Sequence, residues 1–315
     1  MNILILGYSS IVQRRVLPAL SRLSDVELID IASVSKAPAA DLPKFGTHLG
    51  EYADALARSD AGSVYISLPN SMHEAWIEAG LKAGKHVIVD KPATMSVQSA
   101  KRLVEMASSK RLLLAEATVF DFHPQFKAMQ DFIADAGGLT HIDAQFIIPP
   151  LAGDNFRNSV SLGGGCLLDM GAYAAGLARR FGGELKKLAA FGAPTRGDLD
   201  IDRGFSLAAQ FANGVRYTGH FSFESEYQNR LLLVARDGSL LVERLFSPPP
   251  ESAPLWQVRR ANVVSQQEQP AADVFELFLG AVVRAIYDAD FEPFYKPLLA
   301  DATFRDAIDW SLKQG

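Results

Sequence analysis

Residues 1–12 of the chain read MNILILGYSSIV, an apolar strand pattern that ends at Gly7 and leads into a helical pattern over residues 11–23. This order is typical of a dinucleotide-binding fingerprint, whose second and third glycine positions are here Ser9 and Val12. Backbone N–H groups at a helix start can hold a phosphate without a second glycine. A glycine that merely ends a strand before a helix is the alternative interpretation. The predicted phosphate-binding residues are Gly7, Ser9, Ser10 and Ile11.

Short apolar runs alternate with helical patterns throughout the first 120 residues, which is typical of βαβ units and a parallel sheet. The predicted strands cover residues 2–6, 27–32, 64–68 and 86–89, and a helix is predicted over residues 74–83. In a parallel sheet the carboxyl ends of the strands face the ligand crevice. We therefore predict that the loops after the last two strands line a cofactor site. Its residues would be Ser67, Leu68, Asn70, His73, Asp90 and Lys91.

The residues that follow the second strand bear on the choice of cofactor. An NAD site usually has an Asp or Glu there, which accepts a hydrogen bond from the ribose 2′-hydroxyl. Residues 32–36 are instead Ala-Ser-Val-Ser-Lys, whose hydroxyls and charge suit a 2′-phosphate. Ser33, Ser35 and Lys36 therefore predict NADP. NAD stays an alternative because a small shift of the strand would bring Asp30 near the ribose, and Lys36 could be an ordinary solvated lysine.

The second half of the chain is predicted to be rich in sheet. Strand patterns cover residues 142–148, 205–212, 215–223, 230–235 and 239–244. The pairs Asn213-Gly214 and Asp237-Gly238 favour hairpins because both positions tolerate positive φ, so antiparallel pairing is expected. Residues 265–270 are predicted to be a loop, and residues 273–287 and 301–313 to be closing helices.

Composition excludes several classes of function. The 315 residues suggest about two domains, and a net charge of −5 provides no basic field for nucleic acid. No run of eighteen apolar residues could span a membrane, and residues 1–7 lack the pattern of a signal peptide. The single cysteine, Cys166, allows neither an internal disulfide nor a zinc-type cysteine cluster, so no metal site is expected. We expect a soluble, cytoplasmic protein.

Three segments together resemble the Gfo/Idh/MocA oxidoreductase family, over nearly the whole chain. They are Pro69-Asn70 with His73, residues 84–92 (GKHVIVDKP) and residues 163–173 (GGGCLLDMGAY). The resemblance implies an α/β protein: an N-terminal Rossmann domain with a doubly wound parallel sheet over residues 1–120, and a substrate domain over residues 121–315. The second domain would have a large open, mostly antiparallel sheet, and its C-terminal helices would pack back on the first domain. Pairing through this sheet would give a homodimer or homotetramer.

The chain departs from the family pattern at three places. Asp90 replaces the usual Glu before Lys-Pro, and residues 121–124 (DFHP) replace a segment that often carries Arg. Tyr173 stands where many members have His, as in some sugar and dihydrodiol oxidoreductases of the family. The resemblance implies hydride exchange between NAD(P) and a sugar or related polyol.

Reduction of a ketone leaves negative charge on its oxygen, so the site needs a cation or hydrogen-bond donor and a proton source. We predict that Lys91 supplies the positive charge and that Tyr173 is the proton donor, or the base in the reverse direction. Asp169 lies four residues before Tyr173 on one predicted helix and would orient the substrate hydroxyl or hold Lys91 charged. The glycines at 163–165 would let backbone approach the ligand. The alternatives are that Lys91 merely solvates a strand end, that Asp169 pairs locally and that Tyr173 only packs.

Other reactive side chains are given smaller roles. His73 and His123 could be structural, and Cys166 is assigned no catalytic role. The leading hypothesis is an NADP(H)-dependent ketoreductase acting on a sugar or nucleotide-linked sugar. The alternatives are a dihydrodiol or free-aldose dehydrogenase and, from another class, a non-catalytic NADP(H)-binding sensor.

Overall fold

The computed structural model describes residues 1–34, 38, 41–193 and 201–314, which form two compact units. The first unit comprises Met1–Ala117 and Phe275–Leu299, and the second comprises Thr118–Val274 and Ala300–Gly315. Within the described part of the chain, no helix is both long and apolar enough to cross a bilayer.

The first unit contains a six-stranded sheet with every neighbouring pair parallel, in the order β3-β2-β1-β4-β5-β6. Its strands are β1 (Asn2–Leu6), β2 (Leu28–Ala32), β3 (Phe45–Leu49), β4 (Ser63–Ile66), β5 (His86–Asp90) and β6 (Leu114–Ala117). The strand order reverses between β1 and β4, and ligands bind at such a switch point in open α/β sheets. The predicted doubly wound parallel sheet is confirmed.

Helices cover the sheet of the first unit, which explains why its central strands are apolar along their whole length. Ile3 and Leu4 of β1 are 1% and 0% exposed, for example. A π-helical segment, Val12–Val16, leads directly into the first α-helix. The α-helices of the chain are α1 (Leu17–Arg22), α2 (Tyr52–Arg58), α3 (Asn70–Lys82), α4 (Val97–Ser109), α5 (Gln125–Asp135), α6 (Cys166–Leu177), α7 (Val274–Asp288) and α8 (Glu292–Leu312).

Helix α7 packs on the start of the chain within the first unit. The Arg22 Nε atom lies 2.5 Å from the Glu276 Oε2 atom, and the Arg15 guanidinium lies over the Phe275 ring, 4.8 Å from its centroid. The Tyr295 hydroxyl of α8 donates a hydrogen bond to the Leu112 carbonyl. The first unit is therefore built from two separate pieces of chain.

The second unit contains an eight-stranded sheet in the order β14-β13-β12-β11-β7-β10-β9-β8. All neighbouring pairs are antiparallel except β7 and β10, so the predicted mostly antiparallel sheet is confirmed. Its strands are β7 (Leu139–Ile147), β8 (Leu185–Gly192), β9 (Gly204–Phe211), β10 (Arg216–Ser222), β11 (Gln228–Ala235), β12 (Gly238–Glu243), β13 (Leu255–Arg260) and β14 (Val263–Glu268).

The two predicted hairpins are present, although their turns differ from the predicted ones. In the first, only Gly214 has a positive φ, of 86°. In the second, Ala235 pairs with Gly238, so the turn is Arg236-Asp237. The prediction of a loop over residues 265–270 was wrong, since most of this segment belongs to β14. Every residue of β14 is exposed, so this edge strand lacks the apolar alternation that marks a half-buried strand.

Candidate active site

The turn after β1 requires glycine. Gly7 has a φ of 97°, and a Cβ atom built on it would lie 2.1 Å from the Ser67 carbonyl oxygen. Its N–H group donates a hydrogen bond of 2.9 Å to the Ala32 carbonyl. Gly7 therefore allows the chain ends of β1, β2 and β4 to meet at the switch point of the sheet.

The Ser9 side chain is engaged with the protein itself. Its Oγ atom accepts a hydrogen bond from the Val12 N–H group at 3.2 Å and lies 2.8 Å from the Ser67 Oγ atom. Ser10 is exposed and its carbonyl accepts from Arg14 Nε, while Ile11 is partly buried. This turn would therefore bind a phosphate through its backbone N–H groups rather than through the Ser9 hydroxyl.

Asp30 is committed to internal hydrogen bonds, which argues against its acting on a ribose. It is 9% exposed, in the middle of β2 and opposite Leu4. One carboxylate oxygen accepts from the Thr47 N–H group at 2.9 Å and the other from the Ser59 hydroxyl at 2.6 Å. Ser33 follows β2, and its N–H group donates to the Leu49 carbonyl. Ser35 and Lys36 lie outside the described residues.

His73 joins the loops that follow β4 and β5. The side chain is fully buried, with Nδ1 2.8 Å from the Pro92 carbonyl oxygen and Nε2 2.8 Å from the Leu68 carbonyl oxygen. Both nitrogens thus face backbone, which favours the structural interpretation. Asn70 begins α3 and is 3% exposed, and Lys91, partly buried, precedes a cis peptide bond to Pro92.

Two of the glycines before α6, Gly164 and Gly165, lie against protein atoms, and the expectation that this segment lets backbone approach a ligand stays a prediction. A Cβ atom on Gly164 would lie 2.4 Å from the Arg157 carbonyl oxygen, and one on Gly165 would lie 2.1 Å from Asp202 Oδ1. The Asp202 Oδ2 atom accepts from the Leu167 N–H group at 2.6 Å, so this carboxylate caps the helix. Burial raises the pKa of Asp202, against the opposing effect of such backbone bonds.

Asp169 pairs with a cation that sequence reasoning missed. Its carboxylate is largely buried, and the Asp169 Oδ1 atom lies 2.9 Å from Arg157 Nε. Arg157 lies in a 3₁₀ turn whose start is capped by the Asn155 side chain. Asp169 and Arg157 therefore form a partly buried ion pair.

Tyr173 lies one helical turn after Asp169 on α6, as the spacing predicted. Its ring is surrounded by three phenylalanines, with centroid distances of 4.9 Å to Phe146, 5.1 Å to Phe246 and 5.5 Å to Phe120. These contacts fix the position of the Tyr173 ring. Cys166, at the start of the same helix, is buried and forms no disulfide with another described residue.

His123 is a neutral structural residue. Its Nδ1 atom accepts a hydrogen bond of 3.1 Å from the Gln125 N–H group, and within the described residues its Nε2 atom has no partner. Burial lowers the pKa of His123 to about 4. His123 is therefore not a proton donor at neutral pH.

We expect His123 to make folding pH-dependent. In the unfolded chain it binds a proton near pH 6.5, whereas the folded protein resists protonation down to about pH 4, so stability falls as the pH drops through this window. His123→Asn can keep an acceptor for the Gln125 N–H group but does not titrate. Between pH 7 and pH 5, urea unfolding should show the wild type losing about 2 kcal/mol more than the variant. Equal losses would contradict the assignment.

Comparison with known proteins gives a match for each half of the chain. A family model described as an oxidoreductase family with an NAD-binding Rossmann fold matches residues 1–118. The GFO/IDH/MocA C-terminal domain matches residues 126–241.

Individual relatives extend over most of the chain. The dTDP-3,4-didehydro-2,6-dideoxy-alpha-D-glucose 3-reductase of Saccharopolyspora spinosa is 34% identical over 90% of this chain and 86% of its own. The D-xylose 1-dehydrogenase (NADP(+)) 2 of Haloferax volcanii is 29% identical over 90% of this chain and 88% of its own. The crystal structure of a 3-ketoreductase from Actinomadura kijaniata, in complex with NADP and TDP-benzene, has a TM-score of 0.94 and 30% identity, covering 99% of this chain and 97% of that one.

Proposed function

Since the chain belongs to the Gfo/Idh/MocA oxidoreductase family, we propose that it reduces a keto group of a nucleotide-linked sugar with NADPH, or catalyses the reverse oxidation. The observation that carries the proposal is the similarity to dTDP-sugar 3-reductases along 90% of the chain. The chain is an oxidoreductase that acts with a nicotinamide cofactor on a sugar hydroxyl or keto group. The nucleotide handle, the keto position and a cytoplasmic location stay proposals.

The residues at the switch point fit a dinucleotide. Gly7 brings the backbone of the β1 turn against Ser67, and a helical segment follows this turn. A phosphate would be held by backbone N–H groups of the turn. Leu68 and Lys91 lie in the loops after β4 and β5, while Asp90 ends β5 and Asn70 begins α3. A nicotinamide would be held at these carboxyl ends of the strands. When bound, NADP(H) supplies or accepts the hydride.

The chain's own residues then handle charge and protons. Lys91 would place a positive charge at the reacting oxygen, and the Tyr173 hydroxyl would donate the proton that this oxygen takes up in reduction. Asp169, which pairs with Arg157, would accept a hydrogen bond from a substrate hydroxyl.

We expect the protein to bind NADPH at least about tenfold more tightly than NADH, since hydrogen bonds to charged groups contribute about 1.5–3 kcal/mol. Ser33, Ser35 and Lys36 offer donors to a 2′-phosphate, whereas both Asp30 oxygens are already engaged. Titration of cofactor fluorescence measures both affinities. In Lys36→Ala the NADPH affinity should fall while the NADH affinity stays constant. Equal affinities, or a preference for NADH, would contradict the assignment.

A substrate panel tests the proposed reaction. We expect the rate of NADPH oxidation with a dTDP-linked 3-keto sugar to exceed the rate of NADP⁺ reduction with D-xylose or a trans-dihydrodiol. The reason is that the chain is more similar to the dTDP-sugar reductase than to the two dehydrogenases. If only the free aldose or the diol is turned over, the proposed nucleotide-linked substrate is wrong and the substrate belongs to that other class. NADPH binding without turnover of any substrate would favour a sensor.

We also propose a homodimer or homotetramer. At one edge of the second unit's sheet, three residues of β13 and β14 leave large apolar side chains exposed: Leu255 (48%), Val263 (68%) and Val264 (50%). Light scattering should give the mass of two or four chains. A single-chain mass at working concentrations would remove this proposal.

A further inference from the structure

Tyr65 and Asp90 lie on the same face of the first unit's sheet, next to the switch point. In the parallel pairing of β4 with β5, Tyr65 is opposite Ile88, two residues before Asp90. Side chains alternate along a strand, so Tyr65 and Asp90 project from the same face, and Ser67 follows Tyr65 by the same two-residue step. The Tyr65 side chain is fully buried.

A continuous chain of hydrogen bonds connects these groups to the β1 turn. The Tyr65 hydroxyl is 2.6 Å from Asp90 Oδ1, and the Ser67 hydroxyl is 2.5 Å from Asp90 Oδ2. Ser67 Oγ is in turn 2.8 Å from Ser9 Oγ, which accepts from the Val12 N–H group. Both carboxylate oxygens of Asp90 are thus engaged by side chains of the β4 segment.

The donor in each of these hydrogen bonds can be assigned by starting from Asp90. A carboxylate only accepts, so Tyr65 and Ser67 must donate to it. Ser67 has one proton and spends it on Asp90, so it must accept from Ser9. Ser9 in turn has no proton left for a phosphate, which leaves phosphate binding in this turn to backbone N–H groups. Burial, and then the charge of Asp90, raise the pKa of Tyr65 well above its usual range, so its hydroxyl stays a donor.

We propose that Tyr65 is a positioning residue, whose hydroxyl acts through Asp90 to fix the end of β5 that leads into Lys91. Asp90 has a shorter side chain than the glutamate that is usual at this place. Ser67 donates to its Oδ2 atom, and the buried Tyr65 hydroxyl donates to its Oδ1 atom. On the other side of Lys91, the His73 Nδ1 atom lies 2.8 Å from the Pro92 carbonyl oxygen, so the segment 90–92 has a polar contact at each end. The expected effect of the Tyr65 hydroxyl on turnover rests on the proposed function, whereas its expected effect on the position of Lys91 does not.

Tyr65→Phe removes only the hydroxyl, and Tyr217→Phe is its matched control. Tyr217 is also fully buried, but within the described residues its hydroxyl has no hydrogen-bond partner. Two measurements report on the position of Lys91. The first is steady-state kinetics, in which kcat is determined separately from KM. The second is the NMR signal of Lys91 after reductive ¹³C-methylation, which is assigned by its absence in Lys91→Arg. The thermal midpoint of each variant reports on folding.

In Tyr65→Phe we expect kcat to fall about tenfold, because a hydrogen bond to a charged group is lost. KM and NADPH affinity should stay within about threefold, and the Lys91 signal should shift or broaden; Tyr217→Phe should change none of these. An unchanged Lys91 signal in folded Tyr65→Phe would overturn the proposal, whatever its kcat. If that variant does not fold, Ser67→Ala removes the other donor to Asp90, and an unchanged Lys91 signal there overturns the proposal equally. A wild type without turnover would instead refute the proposed function, and the Lys91 signal would still decide this inference.

Discussion

Lys91→Ala is expected to lower kcat at least about 10²–10³-fold while NADPH affinity stays within about threefold, since that loss in rate is typical when a group that stabilises transition-state charge is removed. The lysine would act on the reacting oxygen rather than on the cofactor phosphates. Its neighbours on either side are held by other residues, Asp90 by Tyr65 and Ser67 and Pro92 by His73, so the loop should keep its shape.

The control for this variant is Lys101→Ala, at an exposed position of α4 in the same unit. Steady-state rates and cofactor fluorescence should match the wild type in the control. If Lys91→Ala loses NADPH binding but keeps a normal rate at saturating cofactor, Lys91 is a binding residue and not a catalytic one.

Tyr173→Phe is expected to slow the chemical step about 10²–10⁴-fold, the usual contribution of general acid–base catalysis. The substitution keeps the ring that contacts Phe120, Phe146 and Phe246, so folding and NADPH binding should survive. A single-turnover measurement of NADPH oxidation separates this step from substrate binding and product release.

Tyr217→Phe again serves as the control, because it removes a buried tyrosine hydroxyl from the same unit. If Tyr173→Phe keeps the wild-type rate and its pH dependence, the proton comes from Lys91 or from water. The assignment of Tyr173 would then be wrong, while the oxidoreductase assignment would stand.

The fold could be predicted where burial leaves a pattern in the sequence. Strands β1, β4 and β5 are apolar runs between turn residues because they lie inside a covered parallel sheet. Strand β14 escaped prediction because it lies at a sheet edge and is exposed on both faces. The hairpin between β11 and β12 was predicted correctly although its turn is one residue earlier than Asp237-Gly238, since the flanking strands and a short polar link already favour it.

The candidate site was predictable only in part, because its supporting contacts join residues that are distant in sequence. The glycine turn and the spacing of Asp169 and Tyr173 can be inferred from local pattern. The pairs Tyr65 with Asp90, Arg157 with Asp169 and Asp202 with Leu167 are 25, 12 and 35 residues apart, and no periodicity links their members. Gly164 and Gly165 illustrate this, since their close contacts are with Arg157 and Asp202, which no local pattern in the sequence indicates.

Hydride transfer between NADP(H) and a sugar carbon can be followed directly with deuterium on the nicotinamide. NADPH carrying deuterium at C4, on one face or the other, is incubated with the protein and a dTDP-linked 3-keto sugar, and the sugar product is analysed by mass spectrometry. We expect one of the two labelled cofactors to transfer a single deuterium to the former keto carbon, and Lys91→Ala to transfer almost none in the same time. A reduced sugar that carries no deuterium from either cofactor, or no reduced sugar at all from any member of the substrate panel, would contradict this expectation.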